Sequence, residues 1–331
     1  MFANCALMLL AGLAQTSPPQ PPPIVFEFSK TTTFYYQKPD PSVALKLFHE
    51  LIKKENAEHP WFADREHTLN LFAAQLGDIA ARNPKIVREY EAAFAEASVA
   101  GRRIIVRVLT NCGDKETVNR INGWLADPKV TAVRGELEAL KKHLEGPNRK
   151  GVRDRAAHTP ADLDFLWCNF FITGEYAPIA RILDVLDLPD VPENATMRRV
   201  ASWSLGSNMQ QHAKLLELVK AQVKNRPEPS RKMAESFIQI LEALPGQWES
   251  QDGEKNPLKF GKDGSFKCGF IKDNAEWKIA VGNFSVVADG KVATKAEHAG
   301  STLYQTFTFK DGVLSGSRGP NPNVQWKKVK P

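Results

Sequence analysis

Leu244-Pro245-Gly246-Gln247-Trp248 is the point at which this 331-residue chain changes period. Before it, apolar residues recur at helical spacing; after it, short runs alternate apolar and polar residues. The downstream runs are separated by Asp263-Gly264, Asp289-Gly290 and Asp311-Gly312. Asp-Gly is a strong hairpin signal, because tight turns need a positive φ that Gly adopts freely and Asp tolerates. The fold class that follows is multidomain α + β. An irregular α-helical array, HEAT/TPR-like or a bundle, is expected over 30–244, and a small antiparallel β-barrel or curled meander sheet over 245–331.

In the downstream part, Phe266, Cys268 and Phe270 share one face of their run, opposite Ser265, Lys267 and Gly269. Trp277, Ile279 and Val281 alternate with Lys278 and Ala280, and Leu303, Phe307 and Phe309 with Tyr304, Thr306 and Thr308. Val324 and Trp326 alternate with Gln325 and Lys327. One apolar and one polar face is the mark of an antiparallel sheet around a core. About seven or eight strands in meander order favour closure, which removes exposed edges.

Gly246-Gln247-Trp248 resembles the Gly-x-Trp of the first lipocalin strand. The resemblance is confined to this section, and implies a Trp that plugs one barrel end. The lipocalin Arg that packs on that Trp would correspond to Arg318, at a spacing that departs from the family's. The section is also shorter than a full lipocalin, so any cavity is expected to be small or filled.

Upstream, Asp40-Pro41 caps a helix carrying Val43, Leu47, Leu51 and Ile52. Helices are expected from Trp61, after Asn83-Pro84, over Arg102–Asn111, Asp114–Ala126 and Pro128–Leu144, and again from Thr159-Pro160-Ala161-Asp162. The apolar run Ile24–Phe28 reads as an edge strand. The basic stretch 145–155 reads as a solvated connection, with an internal boundary near 146–158. No strict period emerges, so no regular repeat is supported.

Phe34-Tyr35-Tyr36 before Pro39-Asp40-Pro41, Leu166-Trp167 with Phe170-Phe171-Ile172-Thr173-Gly174, and Trp203-Ser204-Leu205-Gly206-Ser207-Asn208 with Gln211-His212 resemble an uncharacterised family of exported bacterial helical proteins. The similarity spans roughly residues 30–225. It implies a compartment and a fold class, and carries over no catalytic residue.

Residues 1–14 resemble a signal peptide: the apolar run 6–14 ends in small residues before Gln15 and is too short to span a bilayer. Residues 15–29, with Ser17-Pro18-Pro19-Gln20-Pro21-Pro22-Pro23, read as a Pro-rich linker and extended segment. The expected location is therefore periplasmic or extracellular, with no transmembrane span in the mature chain. Cys112, Cys168 and Cys268 are too scattered for a disulfide framework or a metal site, and buried free thiols are expected.

A net charge of +6 without a concentrated basic patch argues against nucleic acid as a partner. Phosphate-loop, dinucleotide and zinc-protease patterns are absent. His59, Asp64 and His67 are the nearest approach to a ligand cluster, and a surface ion pair is the simpler explanation. Asn194-Ala195-Thr196 and Asn283-Phe284-Ser285 match the glycosylation triplet. No cofactor and no metal are expected.

The expectation is a non-enzymatic exported binding or interaction protein, whose partner is a small apolar ligand or another protein. Trp248, Phe266, Phe270, Trp277, Phe307 and Trp326 are the candidate ligand-binding residues. The alternatives are an extracytoplasmic enzyme with a site at the domain junction and a structural component of an envelope assembly.

Overall fold

A computed structural model describes residues 19–146, 156–252, 256–273, 276–287, 290–298, 301–318 and 321–329. The side chains of 270–273, 276–278, 298, 301, 318 and 321–323 are outside that description. The signal segment 1–14, most of the basic connection and Asp289 also fall outside it. The packing divides the chain into two compact units, Met1–Ile179 and Ala180–Pro331. This division lies well upstream of the change in period at Pro245, because the helices just before the break pack with the strands after it.

The first unit is helical: α1 Pro23–Thr32, α2 Pro41–Ile52, α3 Lys54–Ala57, α4 Glu66–Ala80, α5 Pro84–Ala92, α6 Val99–Cys112, α7 Lys115–Ala126, α8 Arg134–Glu145 and α9 Pro160–Thr173. The next helix, α10 Ala177–Leu186, begins just before the division. Caps set many boundaries. Asp40 accepts from the Ser42 N–H, Asp114 and Thr117 form a capping box, and Thr159 and Asp162 form another. Gly174 ends α9 in the left-handed conformation.

Two expectations need correction here. The run Ile24–Phe28 is part of α1, with Pro23 in the first turn, and buries Ile24, Val25 and Phe28. Pro supplies a preset φ there and loses no helical hydrogen bond. The start expected at Trp61 is a short 3-10 turn, Pro60–Phe62, and the helix proper opens at Glu66.

Phe28 stacks on Phe72 at 4.0 Å, and Phe48 lies 4.0 Å from Tyr90 at the centre of this unit. Two of the polar groups buried among these helices are matched across helices. Asn169 Nδ2 donates to Asp78 Oδ2 at 2.6 Å, joining α9 to α4. The fully buried Glu91 carboxylate accepts from Arg88 at 2.8 Å and from Thr117 Oγ1 at 2.6 Å, and pairs with Arg120 at 2.8 Å. Such a network fixes the arrangement of α5 and α7, since a buried carboxylate stripped of partners is costly.

The second unit contains α11 Pro192–Gln211, α12 Ala213–Gln222 and α13 Glu228–Ala243, followed by eight strands. These are β1 Gly246–Ser250, β2 Pro257–Phe260, β3 Ser265–Asp273, β4 Glu276–Val287, β5 Lys291–His298, β6 Ser301–Lys310, β7 Val313–Arg318 and β8 Asn321–Lys328. They close into an antiparallel barrel in meander order, β8 pairing back onto β1. Closure satisfies both edges of the sheet.

Helices α11 and α13 pack against β4. Gln210 Nε2 donates to the Phe284 carbonyl at 2.9 Å, and Gly206 lets α11 approach so closely that an added Cβ would sit 2.7 Å from the Val286 carbonyl oxygen. Lys328 Nζ donates to the Ala243 carbonyl at 2.7 Å. His212, at the C-terminal end of α11, is fully buried, and burial pushes its imidazole from 6.5 down to about 4.

A neutral buried imidazole carries a pH signature. The unfolded chain takes up this proton near pH 6.5, whereas the folded chain resists until about pH 4. The stability of this unit is therefore expected to be complete above pH 6.5 and to fall by about 2–3 kcal/mol between pH 7.5 and pH 4.5. Urea unfolding of the full chain and of His212→Gln at both pH values measures it. An unchanged pH dependence in the variant would exclude His212 as its source.

Candidate functional site

The barrel interior is built by the period-two alternation of its strands. Trp248, Leu258, Phe260, Phe266, Cys268, Ala280, Phe284, Val286, Val292, Ala296, Phe307, Phe309, Leu314, Val324 and Trp326 are all buried. Four of the six expected ligand-binding residues, Trp248, Phe266, Phe307 and Trp326, are thus inside. Phe270 lies in β3 and Trp277 in β4, and their side chains are outside the described residues.

The expected core face of β4 is reversed. Ile279 and Val281 are 39% and 50% exposed, while Ala280 is fully buried. The reason is register: Ala280 pairs with Cys268 and Gly282 with Phe266, and paired residues share a face. Where β4 pairs with Phe266 and Cys268 of β3, its inward residues are the small Gly282 and Ala280; farther along the same face it carries Phe284 and Val286. An Ala and a Gly on the core face give no hydrophobic signal in the sequence.

Trp248 holds the α13 end of the barrel. Its ring meets Phe309 edge-on at 6.1 Å, and its Nε1 donates to the Leu244 carbonyl at 2.9 Å. Farther along, Phe260, Phe266, Phe284, Phe307 and Trp326 form one aromatic layer. Phe260 lies 4.9 Å from Phe266 and 5.2 Å from Phe284, and Phe307 lies 6.1 Å from Phe266 and 5.4 Å from Trp326. Edge-on and tilted contacts at these separations are favourable between ring quadrupoles. Phe260, Phe284 and Phe309 were not among the expected residues, although their alternation with Lys259, Ser285 and Lys310 carries the signal.

Past this layer, toward the end where β1 finishes and β2 begins, the described residues include several polar side chains. Ser250 faces Trp326 across the β1–β8 ladder and exchanges hydrogen bonds with Asn256: its N–H donates to the Asn256 carbonyl, and the Asn256 N–H donates to its Oγ at 2.6 Å. Thr294 on β5 pairs with Gln305 on β6 and donates its hydroxyl to the Gln305 carbonyl at 3.2 Å. Cys268, Ala280 and Ala296 line the same interior, and burial pushes the Cys268 thiol up to about 11, so it is a neutral wall residue.

Elsewhere, His59 and His67 have separate partners. His59 Nδ1 accepts from the Trp61 N–H, while His67 Nε2 pairs with Asp164 at 3.0 Å. That is a side-chain contact at a half-exposed site, made with a different acid from Asp64. Among the described residues, no group of three or more His, Cys, Asp or Glu side chains could hold a metal ion. Cys112, Cys168 and Cys268 are free and buried. Arg318 pairs with Asn321 in the β7–β8 ladder, and its side chain is outside the described residues. Among the described residues, no helix is long and apolar enough to cross a membrane. No family model, curated protein or solved structure matches the chain.

Proposed function

We propose that the chain is an exported, non-enzymatic binding protein whose barrel interior takes a small apolar ligand. The observation that carries this is the closed barrel with a continuous interior layer of Phe260, Phe266, Phe284, Phe307 and Trp326. Concave apolar surface with a few convergent polar groups is the usual composition of a small-molecule site. The helical body serves as a scaffold, and export is supported by the apolar run 6–14 ahead of the Pro-rich stretch.

Nile red added to the full chain is expected to give a saturable fluorescence rise with one site per chain. Phe307→Leu should weaken it about tenfold, because the ring contacts of Phe307 join opposite walls. A linear, non-saturating signal, or an identical curve for the variant, would remove the barrel as the binding site. For export, expression in a Gram-negative host should yield a periplasmic chain starting at Gln15; a cytoplasmic chain that keeps residues 1–14 would overturn it.

A further inference from the structure

Helix α11 meets β4 near Phe284 and Val286. Farther along the same strand, Ile279 and Val281 turn outward and are 39% and 50% exposed. The ladder register places charge beside them. Lys259 on β2 pairs with Lys267 on β3, and Lys267 pairs with Val281 on β4. All three are exposed, and neighbouring strands stand about 5 Å apart.

Lys259 and Lys267 are therefore like charges directly opposite one another, an arrangement that costs stability. The carboxylates nearest them in the ladders face other lysines. Glu297, opposite Val281 on β5, pairs with Lys295 at 3.3 Å, and Glu249 stands opposite Lys327 between β1 and β8. Lys259 and Lys267 have no ion pair among the described residues. On β6, Tyr304 lies opposite Lys295 and is 66% exposed. The wall from β2 to β6 thus carries unneutralised lysines beside outward aliphatic and aromatic side chains.

That mixture discriminates between occupants. A stable protein interface takes roughly 20 residues or more from each side. Three apolar side chains spread over the convex wall of a closed barrel supply a small part of that. A soluble polyanion would neutralise the lysines and gain nothing from Ile279 and Val281. A bilayer of anionic lipid uses both, because phosphates meet the lysines while aliphatic side chains enter the acyl boundary and Tyr sits at headgroup level. Lipid also closes around a convex surface without needing a matching shape.

The geometry points to the outer wall of β2–β6 as a peripheral docking surface for an anionic phospholipid bilayer. Lys259 and Lys267 lie on the headgroup phosphates, and Ile279 and Val281 dip into the acyl boundary. This docking does not depend on the barrel interior holding a ligand.

The test mixes the full chain at low salt with vesicles of phosphatidylcholine alone, or of phosphatidylcholine with phosphatidylglycerol, and measures co-sedimentation. Binding to the anionic vesicles should exceed binding to the neutral ones at least about tenfold. Lys259→Glu turns the facing pair into opposite charges, so the unfolding midpoint should hold or rise. Its binding to anionic vesicles should nonetheless fall at least about tenfold. Lys38→Glu, at an exposed position in the first unit, makes the same change in net charge and should weaken binding less than about threefold. Val281→Ser should weaken it about threefold by removing apolar surface.

Equal binding to the two kinds of vesicle, binding to neither, or a loss in Lys38→Glu as large as in Lys259→Glu would overturn the docking surface. Anionic-vesicle binding that Val281→Ser leaves unchanged would reduce the wall to an attraction for any polyanion and overturn the bilayer assignment.

Discussion

Trp248→Ala is expected to destabilise the second unit by about 4 kcal/mol. Trp248 is 1% exposed, fills the barrel beside Phe309 and donates to the Leu244 carbonyl. Truncation removes a large buried ring, leaves a cavity the closed sheet has little freedom to collapse, and strands a carbonyl at the end of α13. Trp248→Phe separates these effects, since it keeps most of the ring and loses only the N–H, with an expected cost of about 1–2 kcal/mol. Urea unfolding followed by far-ultraviolet circular dichroism measures both. A cost below about 1 kcal/mol for Trp248→Ala would show that this end of the barrel is not a packed core.

Gly282→Ala should be nearly as damaging, at about 3 kcal/mol, although it adds a single methyl group. An added Cβ would lie 1.9 Å from the Lys295 carbonyl oxygen and 2.5 Å from Ala296 Cα, both backbone atoms of the paired strand β5. Neither can move without breaking the β4–β5 ladder. Gly123→Ala in α7 is the control: its new Cβ meets nothing within 4 Å, and helix propensity should raise stability by about 1 kcal/mol. The two variants therefore change stability in opposite directions. Equal effects in thermal unfolding would contradict the close β4–β5 approach.

The barrel was legible in the sequence because its signals are local. The Asp-Gly turns, the alternation through Phe266 and Cys268, and the Trp after Gly246 each sit within a few residues of one another. Facing was legible only where the bulky residues are the inward ones. On β4 the inward face runs Ala280, Gly282, Phe284 and Val286; its first two members carry no hydrophobic signal, so the outward Ile279 and Val281 read as the core face. The same holds for α1, where Pro23 and a short apolar run fit a strand as well as a helix until the ring of Phe72 is placed against Phe28.

Of the candidate site, Trp248, Phe266, Phe307 and Trp326 could be named from alternation. The buried Ser250 and Asn256 could not, because they look like ordinary surface residues in the sequence and are brought inside only by closure of the ladder. The division of the molecule was illegible for a related reason. A change of period reports secondary structure, whereas the compact unit that begins at Ala180 is made by α11 and α13 packing on β4.

The pairing of β1 with β8 has a kinetic consequence. Every other ladder in the barrel joins neighbours in the chain, so each can zip from its own turn. The last seam joins strands at opposite ends of the sheet sequence, and its formation must wait until the whole meander exists. Until then β1 is an open edge, available to another chain. The bond from Trp248 back to Leu244 needs only residues already made, so α13 can hold β1 in place while the remaining strands are added. The short span across Pro245 thus acts as an anchor for the slowest step of assembly.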